Sequence, residues 1–120
     1  MSGIFQTRAP SRSPFTKFLA VDIPAGNTLV VDSVPFSDRM TAKWLVTLTN
    51  YATTEIQSYE VLGHYFTGKT NPSYTASALI GDRIKNKAEV VISGGELALE
   101  IENKESQTLH VDVCRFNMGL

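Results

Sequence analysis

A glycine pair, Gly94-Gly95, stands between two apolar-alternating runs, and this constrains the fold more than any other feature of the chain. A two-residue hairpin turn needs a positive φ at both central positions, which glycine adopts without steric cost, and such a turn fixes the register of the strands it joins. The hairpin from Lys87 to Glu102 therefore sets Ile92 opposite Leu97, Val90 opposite Leu99 and Ala88 opposite Ile101. All six fall on one side of a period-two ladder, the pattern of a half-buried antiparallel sheet. The other side carries Glu89 opposite Glu100 and Lys87 opposite Glu102.

The same alternation recurs along the chain. Leu19, Val21 and Ile23 share a face in a strand from Lys17 to Ile23, which ends at the turn formers Pro24-Ala25-Gly26-Asn27. A second strand covers Thr28 to Val34 and is closed by Pro35 and Ser37-Asp38-Arg39. From Thr41 to Thr49, Ala42, Trp44, Val46 and Leu48 point inward and Leu45 is the one large apolar residue pointing out. Glu55 to Phe66 is apolar on both sides, with Ile56, Leu62 and Phe66 against Tyr59, Val61 and Tyr65. A strand of that kind is buried on both faces or meets a partner. Thr67 to Pro72 is a polar tip, Tyr74 to Ile80 a short edge strand, and Gln107 to Phe116 a closing strand with Leu109, Val111 and Val113 inward. About eight short strands with no amphipathic helix predict an all-β chain, an antiparallel β-sandwich that is jelly-roll-like.

At 120 residues the chain supports one core. We assign 1–16 to an extended N-terminal arm and 17–120 to the sandwich. Pro10 and Pro14 leave the arm no helical or strand period, yet Ile4, Phe5 and Phe15 are costly to leave in water. Burying Ile4 and Phe5 against a neighbouring subunit returns roughly 1.5 to 3 kcal/mol each. Arg8 and Arg12 in the arm and Lys17 just after it are unopposed until Asp22, whereas everything after Lys17 carries an excess of acids behind a net charge of −1. Three cations are too few for a nucleic-acid partner. No apolar run approaches a bilayer span and no secretion signal opens the sequence, so neither a membrane partner nor export is expected. A single cysteine, Cys114, excludes an internal disulfide.

Candidate chemistry is sparse. Glu89 and Glu100 face each other with β-carbons roughly 4.5 to 5.5 Å apart, which permits a retaining-glycosidase pair. Glu96 and Glu102 extend the same stripe, however, and a solvated acidic face explains all four. His110, Asp112 and Cys114 alternate along one strand, but His64 is the only other histidine and nothing completes a tetrahedral site. No nucleophile elbow, Walker loop or dinucleotide fingerprint is present. No catalytic residue, metal or cofactor is expected. Trp44, Tyr51, Tyr59, Tyr65 and Tyr74 offer aromatic surface for a sugar platform, although aromatics are ordinary strand fillers.

Four segments, Ala42 to Asn50 (AKWLVTLTN), Gln57 to Tyr65 (QSYEVLGHY), Ala88 to Asn103 (AEVVISGGELALEIEN) and Thr108 to Phe116 (TLHVDVCRF), together resemble a β-sandwich domain recurrent in virion proteins of tailed bacteriophages. In that family an A-K-x-x-V strand is followed by one with Y-E-V, then by an I-S-G-G hairpin and a closing strand of alternating valines. The resemblance covers about two thirds of the chain, and such domains occur in tail fibres, neck appendages and capsid decoration proteins. It implies a non-enzymatic structural role in a virion assembled in the host cytoplasm. A stand-alone domain with its own arm looks more like a capsid decoration, cement or neck protein. The expected partners are further copies of the chain, in a symmetric homo-oligomer such as a trimer, and the major capsid or a neck or tail protein. Contacts are expected through Ile4, Phe5, Arg8, Arg12, Phe15, Leu45, Tyr59, Val61 and Tyr65. The rival expectation is a tail-fibre or baseplate carbohydrate-binding module using Tyr51 and Tyr74.

Overall fold

The computed structural model describes residues 16–120. Eight strands form two antiparallel sheets: β1 (Thr16–Ile23), β2 (Thr28–Pro35), β3 (Arg39–Asn50), β4 (Glu55–Phe66), β5 (Ser73–Gly81), β6 (Asn86–Ser93), β7 (Glu96–Asn103) and β8 (Leu109–Gly119). One sheet has the order β1-β8-β3-β4-β5 and the other β2-β7-β6. The all-β sandwich expected from the alternation is what forms. Its jelly-roll character lies in the nested pairs β1–β8 and β2–β7, while β3-β4-β5 is a plain meander that leaves the sheets unequal in width.

The hairpin register holds residue by residue: Ile92 pairs with Leu97, Val90 with Leu99, Ala88 with Ile101 and Glu89 with Glu100. Gly94 and Gly95 have φ of 57° and 79°, the backbone such a turn demands. Between the sheets, Trp44, Val46, Leu48, Val61, Leu97, Leu99, Ile101, Leu109, Val111 and Ile23 are fully buried. The strand predicted to end at Val34 runs on through Pro35, which is tolerated because β2 is an edge strand and needs no outward donor there.

A bulge in β2 has the larger consequence. The register slips between Val30 and Asp32, so Leu29 faces inward before it and Asp32 and Val34 after it. Asp32 is thereby turned into the core, where its Oδ2 accepts from Trp44 Nε1 at 2.9 Å. Arg115 Nη1 donates to Asp32 Oδ1 and Oδ2 at 2.9 and 2.8 Å and to the Ser33 carbonyl at 3.0 Å. This buried ion pair ties one sheet to the other. Sequence reasoning did not find it, although Arg115 occupies the next inward position after Leu109, Val111 and Val113 on β8.

Two expected contact residues are corrected here. Tyr59 and Val61 are buried within the chain's own core, because the three-stranded sheet covers the inner face of β4. Tyr59 O–H donates to Asn86 Oδ1 at 2.8 Å, and burial pushes its hydroxyl pKa up. Tyr65 is half-buried, set edge-on to Phe36, with its O–H donating to the Lys69 carbonyl.

Candidate functional site

Five strands bring the outward positions of the wider sheet into rows. Phe18, Cys114, Leu45 and Glu60 lie side by side across β1, β8, β3 and β4, and Phe116, Lys43, Leu62 and Thr75 form the next row across β8, β3, β4 and β5. Met118 and Thr41 follow. Phe18, Leu45, Leu62, Phe116 and Met118 are 68%, 45%, 48%, 43% and 69% exposed, so an apolar patch runs over the middle of the sheet. Lys43 Nζ stands over the Phe116 ring, 5.9 Å from its centroid. A shallow cavity of about 340 Å³ is lined by Lys43, Leu62, Phe116 and Met118.

Leu45, the one large apolar residue expected to point outward from its strand, lies exposed on this face. Phe18, Phe116 and Met118 were not expected there, although their outward phase follows from the inward phase of Val21, Val111 and Val113. Ile4, Phe5, Arg8, Arg12 and Phe15 lie outside the described residues.

At one end of the face, His110 Nδ1 lies 2.8 Å from Asp22 Oδ1 and Nε2 lies 3.1 Å from Asp112 Oδ1. The Tyr51 ring is 6.1 Å away. The hydrogen bond to Asp22 raises the His110 pKa above its ordinary value; desolvation opposes it, and the nearby Asp112 carboxylate adds to the rise. Both ring nitrogens are thus engaged by carboxylates, and Cys114 stands two rows from His110, so the His110-Asp112-Cys114 alternation builds a charged clamp between β1 and β8. The sign of the pH effect follows. The folded state binds the His110 proton more tightly than the unfolded chain, so the stabilisation is complete below the ordinary value near 6.5 and fades as pH rises through the raised folded value. Urea midpoints measured from pH 5.5 to 8.5 should fall across that upper window, and His110→Gln should flatten the fall; an unchanged profile would refute the clamp.

Glu89 and Glu100 are paired on the outward face of the hairpin, and Lys87 Nζ lies 3.3 Å from Glu89 Oε2. The acidic stripe thus carries its own cation at one end. Of the aromatic residues, Trp44 and Tyr59 are buried, whereas Tyr51 and Tyr74 are exposed. Tyr51 sits beyond the Asn50–Glu55 end of the β3–β4 hairpin and Tyr74 pairs with Gly63, so about 27 Å of strand separates them. They do not form one stacking platform.

No family model matches this chain, and no curated protein matches it. Among solved structures, it is similar to the tailspike protein of Acinetobacter phage vB_ApiP_P1, with a TM-score of 0.41 and 13% identity over 99% of this chain and 25% of that one. This chain thus spans a quarter of the tailspike's length. A likeness at that level carries no argument about function.

Proposed function

We propose that the protein is a non-enzymatic structural component of a phage particle, a capsid decoration, cement or neck accessory protein, and that it works by mechanical contact between copies and with the particle. The observation that carries this is the apolar outer face of the five-stranded sheet. Soluble monomers rarely leave a contiguous patch of this kind to water, and a second copy covers it. The five apolar residues span four strands at about 4.8 Å and five positions at about 3.4 Å, roughly 330 Å², set within a polar-rimmed sheet face of roughly 650 Å² that approaches the 800 Å² per partner of a standard interface. The strand motifs shared with phage sandwich domains support the virion setting. The separation of Tyr51 and Tyr74 counts against the carbohydrate-binding alternative.

Sedimentation velocity tests this directly. The full chain should sediment as a multiple of its 13.2 kDa mass. Leu62→Glu, at a half-exposed position, should lower the sedimenting mass while leaving the circular dichroism spectrum unchanged. A wild-type chain that stays monomeric at the highest concentration reached would sink the proposal.

A further inference from the structure

The two sheets differ in width, and the excess sits at β5. β6 lies over β4, since a Cβ placed on Gly63 would meet Val90 at 3.1 Å. β5 therefore projects one strand beyond β6, and every one of its residues is exposed, including Tyr74 and Ala76, which pair with the inward positions Gly63 and Val61. Beneath this overhang are two cavities. One of about 410 Å³ is lined by Ala76, Leu79, Ile84 and Ala88, and one of about 350 Å³ by Tyr74, Glu89, Val91 and Ile92. Among the described residues, no strand pairs with the outer edge of β6.

We infer that this step accepts one added β-strand, and that its occupant is the Met1–Ala9 segment of a neighbouring copy. The inference rests on the assembly proposed above and names the place where the arm docks. An unpaired strand edge beside an apolar shelf is the arrangement used for strand addition, in which backbone bonds give affinity and alternate side chains give specificity. The step is one strand wide. A second sandwich pairing through its own β6 would drive its facing sheet into β5, whereas a single extended segment fits.

Length, phase and charge all select the N-terminal segment. Met1 to Ala9 is its longest proline-free stretch, against eight residues in β6, and Pro10 has no N–H to continue a ladder. With Phe5, Thr7 and Ala9 turned under the overhang, Arg8 points to the outer face; the opposite phase would bury Arg8. The outer positions of β6 and β7 carry Glu89, Glu96, Glu100 and Glu102 against Lys87, so Arg8 meets an acidic surface. The donor is a neighbour because β1 stands at the far edge of the wider sheet. Four strand spacings and the gap between sheets put the shelf about 22 Å from β1 on a straight line through the core, and the detour round the sheet ends takes the route past the roughly 25 Å that the seven Cα steps from Ala9 to Thr16 reach when fully extended. Such a contact is head-to-tail and closes into a ring when the rotation between copies allows.

The test mixes full-length chains, all carrying Cys114→Ser. Donors carry Gln6→Cys, and acceptors carry Lys87→Cys, Glu89→Cys or Val91→Cys, all outward on β6. Mild oxidation should give a covalent heterodimer with at least one acceptor and none with Thr47→Cys, which lies on the opposite outer face. Adding Phe5→Asp to the donor should cut the yield at least tenfold. Absence of the heterodimer with every β6 acceptor, or an equal yield with Thr47→Cys, overturns the inference. Sedimentation of the same mixtures separates the two failures: oligomers without cross-links leave the assembly reading standing, and monomers remove both.

Discussion

Arg115→Met is expected to lower the unfolding free energy by about 3 to 5 kcal/mol, the cost of leaving a buried charge without its partner. The Asp32 side chain is 2% exposed and that of Arg115 7%. Without the guanidinium, Asp32 keeps, among the described residues, Trp44 Nε1–H as its one side-chain donor and no counter-charge, in a medium that penalises charge heavily. Asp32→Leu should cost a similar amount, because it strands the guanidinium instead. The double variant Asp32→Leu/Arg115→Met should recover most of the loss, since an apolar pair of similar volume removes both desolvation penalties together. Urea unfolding of the four proteins gives the coupling energy directly. Single losses below about 1 kcal/mol, or a double variant as unstable as the sum of the singles, would show that the pair does not bridge the sheets in solution.

That pair also marks where sequence stops specifying structure. The Lys87–Glu102 hairpin was legible to the residue, because a two-residue turn leaves one register and the apolar positions agree with it. Strand β3 was legible for the same reason of strict alternation. In β2 the alternation misleads, since the bulge at Val31 reverses the phase midway and sends an aspartate inward. Nothing in TLVVDSVP distinguishes that from an unbroken strand whose Asp32 faces water. In β4, apolar residues on both sides hid which side is inside; only the placement of β6 over Gly63 decides that Tyr59 and Val61 are core and that Ile56, Leu62 and Phe66 face out. The division into five and three strands was not legible either. Period two says that a strand has an inner face, but not which sheet it joins, and the overhang of β5 exists through that division alone.

Gly81→Ala should expose how weakly this overhanging strand is held. Gly81 has φ of 93°, outside the left-handed well that other residues visit, and a Cβ there would run into the carbonyl oxygen of Ile56 across the ladder. Adopting such a φ costs about 1 to 3 kcal/mol before any clash is counted. The chain has a cheaper escape than global unfolding, because β5 is an edge strand whose residues are all exposed and whose register already slips at the bulge opposite Tyr59. The strain should therefore be relieved by unpairing the Gly81 end of β5, which also releases the Asp82 N–H donation to the Ile56 carbonyl and the Ile56 N–H donation to Asp82 Oδ2. Native-state hydrogen exchange should show protection in β5 and along the β5-facing amides of β4 falling roughly 10- to 100-fold, with the β3–β8 ladder unchanged. If the arm docks beneath β5, the Gln6-to-β6 cross-link should weaken in the same variant. A uniform loss of protection over both sheets would instead mean that β5 is integral to the core, and that no separable shelf exists for a neighbour's strand to enter.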